Sequence, residues 1–217
     1  MSNTLKFGNG QWGTKVGSAL AYNDLDGNFK PLPFDFTRST SATRINKDGL
    51  IEVVTNNKPR IDYKDDSKGA LLLEPTRTNT ITYSNEFTGA TGWQAVRTTV
   101  TNNYGISPDG TQNSTKFVFG DANDYVNRAT SSSGTETSSI YIKGIQGETI
   151  KFGKGGNVAS GVIHTLTGDW QRLIVTTTDA GTAFHISTFG GSTAREVEVF
   201  GAVQESGSYA TSYIPTQ

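Results

Sequence analysis

The stretch Glu196–Phe200, with the sequence EVEVF, alternates acidic and apolar side chains. The stretch Ser139–Lys143, SIYIK, alternates in the same way, with two isoleucines on one side. A period of two places alternate side chains on opposite faces of a strand, as in an antiparallel sheet with one face in water. Both stretches therefore predict strands of a sheet that is buried on one face only.

Outward from these stretches, short β-prone runs follow one another from residue 50 to residue 203, and no long window has helical periodicity. Turn sequences rich in Gly and Asp separate the runs at intervals of about ten residues. Examples are residues 47–49, 108–110, 146–148 and 167–169. The pattern predicts an all-β chain, with a jelly-roll-type β-sandwich of at least eight strands, in two packed sheets, in residues 85–217.

Composition excludes several classes of protein. The chain has 217 residues, a formal net charge of −1 and no cysteine, but 31 threonines and 25 glycines. The near-neutral balance argues against a nucleic-acid partner, which needs a basic surface. No apolar run approaches the ~20 residues that span a bilayer, and the first residues lack the pattern of a signal peptide. We therefore expect neither nucleic-acid binding nor membrane insertion, and stability that comes from packing or oligomerisation.

The first 34 residues predict an irregular arm, because glycines and prolines interrupt every apolar run. The arm nevertheless carries six large apolar residues. Two explanations remain open: these side chains pack on their own domain, or they dock on a partner. We expect an attachment arm over residues 1–34 with Phe7, Trp12 and Tyr22 as docking residues, a small β-rich linking region over residues 35–84, and the sandwich over residues 85–217.

The sequence predicts no catalysis, no cofactor and no metal site. Its two histidines, His164 and His185, lie inside alternating runs, and no Gly-x-Ser-x-Gly elbow occurs. Glu196 and Glu198 alternate along one strand face, which is typical of a solvated sheet edge. A polysaccharide depolymerase, which needs two opposed carboxylates, remains a less favoured alternative.

Aromatic residues are the candidates for carbohydrate stacking, since a planar ring matches the apolar face of a sugar. Trp93 and Trp170 adjoin strand patterns and are predicted to be core residues. Tyr104 and Tyr125 lie near predicted loops and are the candidates, although weak ones, for glycan stacking.

Several motifs carry a resemblance to a known family. The most specific are residues 36–44 (FTRSTSATR), 46–52 (NKDGLIE), 59–63 (PRIDY), 72–79 (LLEPTRTN), 201–205 (GAVQE) and 210–216 (ATSYIPT). Together they resemble bacteriophage virion appendage proteins of the head-fibre and tail-fibre type, which carry a carbohydrate-binding-module-like β-sandwich. The segments 5–12, 85–93, 107–111 and 168–172 are similar to other parts of such proteins, so the resemblance covers most of the chain.

The resemblance implies a virion structural protein without catalytic activity. Its implied partners are two further copies in a homotrimer, other capsid or tail proteins, and a host-surface glycan. A decoration protein without any ligand is the alternative. Jelly-roll modules of this kind often hold a structural calcium through a Glu near the first strand, which Glu86 matches, and an Asp in the last strand, which is missing here. Calcium is therefore not predicted.

Overall fold

The structure is a computed structural model that describes residues 10–23, 27–32, 35–131 and 134–217. The chain divides into two compact units, Met1–Thr76 (unit 1) and Arg77–Gln217 (unit 2), whereas the sequence pattern predicts boundaries after residues 34 and 84. Phe7 lies outside the described residues. No helix in the described part of the chain is long and apolar enough to cross a membrane.

Unit 1 is built from short antiparallel strands. They are β1 (Trp12–Lys15), β2 (Ser18–Asn23), β3 (Asn28–Pro31), β4 (Ala42–Ile45), β5 (Ile51–Val54), β6 (Ile61–Asp62) and β7 (Ala70–Leu71). Strands β1, β2 and β3 form a meander, β4 pairs with β5, and β6 pairs with β7.

The meander corrects the prediction that the first 34 residues are too broken to build a sheet. Its strands need only four to six residues each, and Gly17, at φ +73°, makes the tight turn between β1 and β2. Ala19 and Leu32 are buried together with Ile61 and Leu71, and Trp12 packs against this cluster. The glycines thus serve as turns of a sheet and do not prevent one.

Arginine residues of the family-like motifs hold unit 1 together. Arg60 is buried; it donates to the Thr43 carbonyl at 3.0 Å and to Glu74 Oε2 at 2.7 Å. Arg44 pairs with Glu52 at 2.9 Å and donates to a main-chain carbonyl at 3.1 Å. Guanidinium groups that serve both carboxylates and carbonyls link chain segments that have little regular structure. These motif residues are therefore structural.

The described part of unit 2 contains ten strands and one turn of 3-10 helix, Gly89–Thr91. The strands are β8 (Trp93–Val96), β9 (Thr98–Thr101), β10 (Thr115–Phe119), β11 (Tyr125–Ala129), β12 (Glu136–Gly144), β13 (Thr149–Gly155), β14 (Val162–Thr165), β15 (Gln171–Thr177), β16 (Ala183–Ser187) and β17 (Glu196–Ser206).

The ten strands form two five-stranded antiparallel sheets. Sheet I has the order β15-β12-β17-β10-β9, and sheet II has the order β14-β13-β16-β11-β8. Strands β10 to β17 visit the two sheets in the order of a jelly roll, and β9 and β8 extend one edge of each sheet. The predicted fold, an all-β jelly-roll sandwich, is confirmed.

The core lies between the two sheets and is rich in aromatic rings. Trp93 is 2% exposed, and its ring lies 4.6 Å from that of Phe87 and 5.7 Å from that of Phe184. Phe87 in turn meets Phe117 of sheet I at 5.4 Å, so the cluster joins the two sheets. The prediction that Trp93 is a core residue is confirmed.

Trp170 corrects the corresponding prediction. It precedes β15, is only half-buried, and lies outside the hydrophobic core. Its indole N–H donates to the Ile106 carbonyl at 3.1 Å. Alternation along residues 170–175 leaves the burial of Trp170 open, and the core prediction is based on the resemblance to jelly-roll modules, whose tryptophans at such positions usually belong to the core.

A bulge in β17 changes which side chains face the core. Gly201 has φ +68°, and the pairing of β17 with β12 shifts register at this point. Val199 packs in the core before the bulge and Ala202 packs in the core after it, so Phe200 lies on the outer face of sheet I. There Phe200 contacts Tyr213, with ring centroids 5.2 Å apart.

The C-terminal segment, residues 207–217, covers this part of the outer face. The Tyr213 hydroxyl lies 2.8 Å from Ser84 Oγ, and burial raises the pKa of Tyr213 to about 12. Thr211 donates from both its N–H and its hydroxyl to the buried carboxylate of Glu205. The family-like motif at residues 210–216 is thus a structural cover for sheet I.

Trp93→Ala should lower the free energy of unfolding of unit 2 by about 3 to 5 kcal/mol, because it empties the aromatic cluster between the sheets. Trp170→Ala should cost only about 1 kcal/mol, since that ring is half in water. Denaturant unfolding followed by circular dichroism measures both. Equal losses for the two variants would contradict this account of the core.

Candidate functional site

A groove of about 310 Å³ opens on the outer face of sheet I, beside the part that the C-terminal segment covers. Its floor is made by outward-facing side chains of three adjacent strands: Lys116 of β10, Glu196 and Glu198 of β17, and Lys143 of β12. Its walls are the loop after β9, the β12–β13 turn and the β14–β15 turn.

The loop between β9 and β10, residues 102–114, crosses the outer face of sheet I. It starts at one edge of the sheet, and its Ile106 carbonyl reaches the indole of Trp170, just before the strand at the other edge. Gly105 lies directly on Glu198, because a Cβ there would collide with the Glu198 carboxylate. We call residues 102–114 the crossing loop. It forms one wall of the groove and presents Tyr104 to it.

Asp109 fixes the shape of the crossing loop. Its carboxylate accepts hydrogen bonds from Ser107 Oγ at 2.8 Å, from Thr111 N–H at 2.8 Å and Oγ1 at 2.7 Å, and from Asn113 Nδ2 at 2.9 Å. Burial alone would raise the pKa of Asp109, but these hydrogen bonds to Asn113, Thr111 and Ser107 outweigh it and hold that pKa below its usual value. The ionised carboxylate is therefore the form that orders the loop.

Tyr104 is the aromatic surface of the groove, with 47% of its side chain exposed. Lys116 Nζ lies 4.8 Å from the centroid of its ring. The same ammonium pairs with Glu196 Oε2 at 2.8 Å, and the hydrogen bond to Glu196 raises the pKa of Lys116. Lys116 thus covers one face of the tyrosine ring, while nearly half of the residue remains open to solvent.

The floor of the groove contains a carboxylate that hydrogen bonds hold in place. Ser114 Oγ donates to Glu198 Oε2 at 2.8 Å and accepts from the Gly105 N–H at 2.9 Å, which orients that carboxylate. Lys143 lies opposite Glu198 in the strand pairing. The groove therefore combines an aromatic ring with carboxylate, ammonium and amide groups, the last from Gln146.

The structure brings one of the two stacking candidates into the groove. Tyr104 lines it, but Tyr125 lies on β11 of sheet II, where its ring is 6.2 Å from that of Phe189. Glu196 and Glu198 correct another expectation: they lie on the central strand of sheet I and not at a sheet edge. Strand order in a jelly roll depends on long-range pairing, which local alternation does not contain.

The docking candidates in unit 1 differ in their surroundings. Trp12 is half-buried in its own unit, and its Nε1 donates to the Lys68 carbonyl at 2.9 Å. Tyr22 faces Phe29 across the β2–β3 pair, with ring centroids 5.8 Å apart, and Phe29 is 46% exposed. An aromatic pair therefore lies on the meander surface.

The two histidines do not line the groove, and neither does Glu86, the residue that matches a calcium-binding position of jelly-roll modules. His185 is buried in sheet II, with its Nε2 2.6 Å from the Ser160 carbonyl oxygen. Glu86 is exposed, and its main-chain carbonyl accepts from Thr91 Oγ1 at 2.5 Å. Among the described residues, no group of three or more His, Cys, Asp and Glu side chains could hold a metal ion.

No protein-family model matches the sequence, and neither does any curated protein. Solved structures with a similar arrangement include the CBM22-1–GH10 modules of a Clostridium thermocellum endo-1,4-β-D-xylanase complexed with xylohexaose, with 14% identity and a TM-score of 0.40. That match covers 61% of this chain and 29% of the other.

A cleaved adhesin domain of Lys-gingipain from Porphyromonas gingivalis is 13% identical, with a TM-score of 0.43, and the match covers 62% of this chain and all of that domain. The enzymatically active domain of tailspike protein 4 of bacteriophage CBA120 is 12% identical, with a TM-score of 0.39; 58% of this chain and 21% of that one are covered. Likenesses of this size do not establish a family or a ligand for this chain.

Proposed function

We propose that unit 2 is a non-catalytic carbohydrate-binding module that uses the groove on sheet I. The observation that carries the proposal is the exposed Tyr104 ring, held at the edge of a floor of oriented polar side chains. A sugar presents an apolar face and a rim of hydroxyls, so it needs this combination of a ring and hydrogen-bonding groups. A volume of about 310 Å³ suits a short stretch of a glycan chain.

We further propose that the chain is a structural protein of a bacteriophage virion, in a head or tail appendage, and that it assembles as a homotrimer. The support is the resemblance of the motifs at residues 36–44 and 210–216 to such proteins. Three copies would multiply weak single sites into strong attachment to a host surface. Electron microscopy of intact particles, together with sedimentation of the purified chain, tests the location and the trimer.

The particle-facing surface in this proposal is the aromatic pair Tyr22 and Phe29 of unit 1. Exposed aromatic residues supply large contact area at low entropic cost and dominate many interfaces. Trp12 supports the meander from within, because it packs against the buried cluster of its own unit.

A depolymerase is the second candidate, because the groove holds two carboxylates on one strand face. Glu196 and Glu198 are two residues apart, which places their Cα atoms roughly 7 Å from each other. Release of reducing ends from a host polysaccharide, lost in Glu196→Gln or Glu198→Gln, would establish this activity. Glycan binding without such release supports the non-catalytic module.

Tyr104→Ala should weaken glycan binding about 5- to 30-fold, because the stacking surface is removed at a cost of about 1 to 2 kcal/mol. Tyr125→Ala is the matched control and should bind normally, since that ring lies on sheet II. A glycan array identifies the ligand, and calorimetry measures its affinity. Equal affinity in both variants would contradict the assignment of the groove, and an array without any bound glycan would favour a decoration protein that has no ligand.

Glycan binding should be constant between about pH 7 and pH 5 and fall below about pH 4. The pKa of Asp109 is depressed in the folded protein, so the loop order that it provides is complete above the ordinary aspartate pKa of ~3.9 and is lost as the pH falls through the folded value. Asp109→Asn should already bind weakly at pH 7. Calorimetric titrations across this range measure both effects; full affinity of Asp109→Asn would show that the loop does not depend on this carboxylate.

The double variant Tyr22→Ala/Phe29→Ala should abolish incorporation into virions while the unfolding free energy changes by about 1 kcal/mol or less. Val53→Ala removes a comparably exposed apolar side chain from the same unit and should be incorporated normally. Complementation of a phage that lacks the gene, followed by particle analysis, provides the measurement. Normal incorporation of the double variant would refute this docking surface.

A further inference from the structure

A lysine and a glutamate meet inside the sandwich of unit 2. Lys154 lies on β13 of sheet II, on the same face as the core residues Ile150 and Phe152. Glu136 lies on β12 of sheet I, on the same face as the core residue Ile140. Lys154 is 2% exposed and Glu136 is 3% exposed. Their side chains therefore connect the two sheets through the interior.

The contact between the two side chains is close but is not a good hydrogen bond. Nζ of Lys154 is 2.8 Å from Oε2 of Glu136, yet that oxygen is buried without a hydrogen-bond partner among the described residues. The Lys154 ammonium donates instead to the Asp179 carbonyl, at 3.2 Å. A buried ion pair needs excellent hydrogen-bond geometry to offset the loss of hydration, and this pair lacks it.

Two polar atoms on neighbouring strand positions also lack hydrogen bonds to the described residues. Ser138 Oγ and Gln204 Oε1 are buried and have no hydrogen-bond partner within the described part of the chain. Ser138 is the next inward-facing residue on β12 after Glu136, and Gln204 is its partner on β17. Buried polar atoms without partners are uncommon in folded proteins, so several on one face need an explanation.

We propose that Lys154 and Glu136 form an intramolecular amide, which cross-links sheet I to sheet II. The amine and the carboxyl group are already in contact and shielded from water. A neutral amide removes two formal charges from the interior, and its N–H can keep the bond to the Asp179 carbonyl. Such a link would serve a chain that has no cysteine and therefore no disulfide.

The chemistry is a condensation that needs no oxidant and no co-reactant. Transfer of one proton from the ammonium to the carboxylate gives a neutral amine and a neutral acid. The nitrogen lone pair attacks Cδ of Glu136, and the new N–C bond forms. The C–O bond to the hydroxyl then breaks, and the hydroxyl leaves with one amine proton as water. Fixed contact between the reactants supplies the orientation that this step needs, and Ser138 and Gln204 offer polar partners to the released water.

The intact mass of the folded full-length chain tests the proposal. It should lie below the mass that the sequence gives by one water molecule. After proteolysis, the peptides that contain Glu136 and Lys154 should appear as one joined species that lacks the same water. Lys154→Met removes the nucleophile and should restore the full mass.

Lys151→Met is the matched control. Lys151 lies on the same strand but on the opposite face, where its Nζ donates to the Ala159 carbonyl at 2.8 Å. This variant should still lose one water. A full-mass wild-type chain after prolonged incubation in the folded state would overturn the proposal. If Lys154→Met does not fold, the presence or absence of the joined peptide in the wild type decides the matter.

Discussion

The side-chain amide of Asn79 is the interaction on which the arrangement of unit 2 depends. Its oxygen accepts from the N–H groups of Ile81 and Gln204, both at 3.0 Å. Its nitrogen donates to the carbonyls of Ala202, at 3.0 Å, and Ile214, at 2.9 Å. A buried amide has two donors and two acceptor sites, and here all four are used. One side chain thus ties the start of the unit, the strand β17 just after its bulge, and the C-terminal segment to one another.

This constraint explains why the outer face of sheet I is divided. With Ile214 held by Asn79, Tyr213 is placed over Phe200, and that part of the face is closed. The remaining part carries Glu196 and Glu198 of β17 and stays open as the groove. The family-like motifs at residues 72–79, 201–205 and 210–216 are therefore joined by one set of hydrogen bonds, although more than a hundred residues separate the first from the other two in sequence.

The sequence was sufficient to predict the fold class, because alternation and turn spacing are local properties that the strands must obey. It was not sufficient to predict that the set of inward-facing residues on β17 changes from odd-numbered to even-numbered positions at Gly201. The bulge that causes this change is visible only in the pairing with β12. It also failed for the meander of unit 1, where glycines that mark turns resemble glycines that break strands. In both cases the missing information was which strand lies beside which.

The candidate site was predictable only in part, for the same reason. Tyr104 could be found because it is an aromatic residue near a predicted loop, but the same argument also selected Tyr125, which does not line the groove. Lys116 and Lys143 alternate with core residues like any charge on a wet strand face, and nothing local distinguishes them. Only the strand order places these lysines around β17.

The position of the groove follows from a change of chemistry along β17. Before the bulge its outward residues are Glu196 and Glu198, which water, Lys116 and Ser114 can satisfy. Phe200, the next outward residue and the last one before Gly201, would expose a large apolar surface, so burial beneath Tyr213 is favoured by the hydrophobic effect. The C-terminal segment must therefore end its cover near the bulge, because further extension would bury carboxylates without enough partners. The open groove therefore keeps the carboxylates of Glu196 and Glu198 accessible to water, and the covered aromatic contact beside it keeps Phe200 out of water.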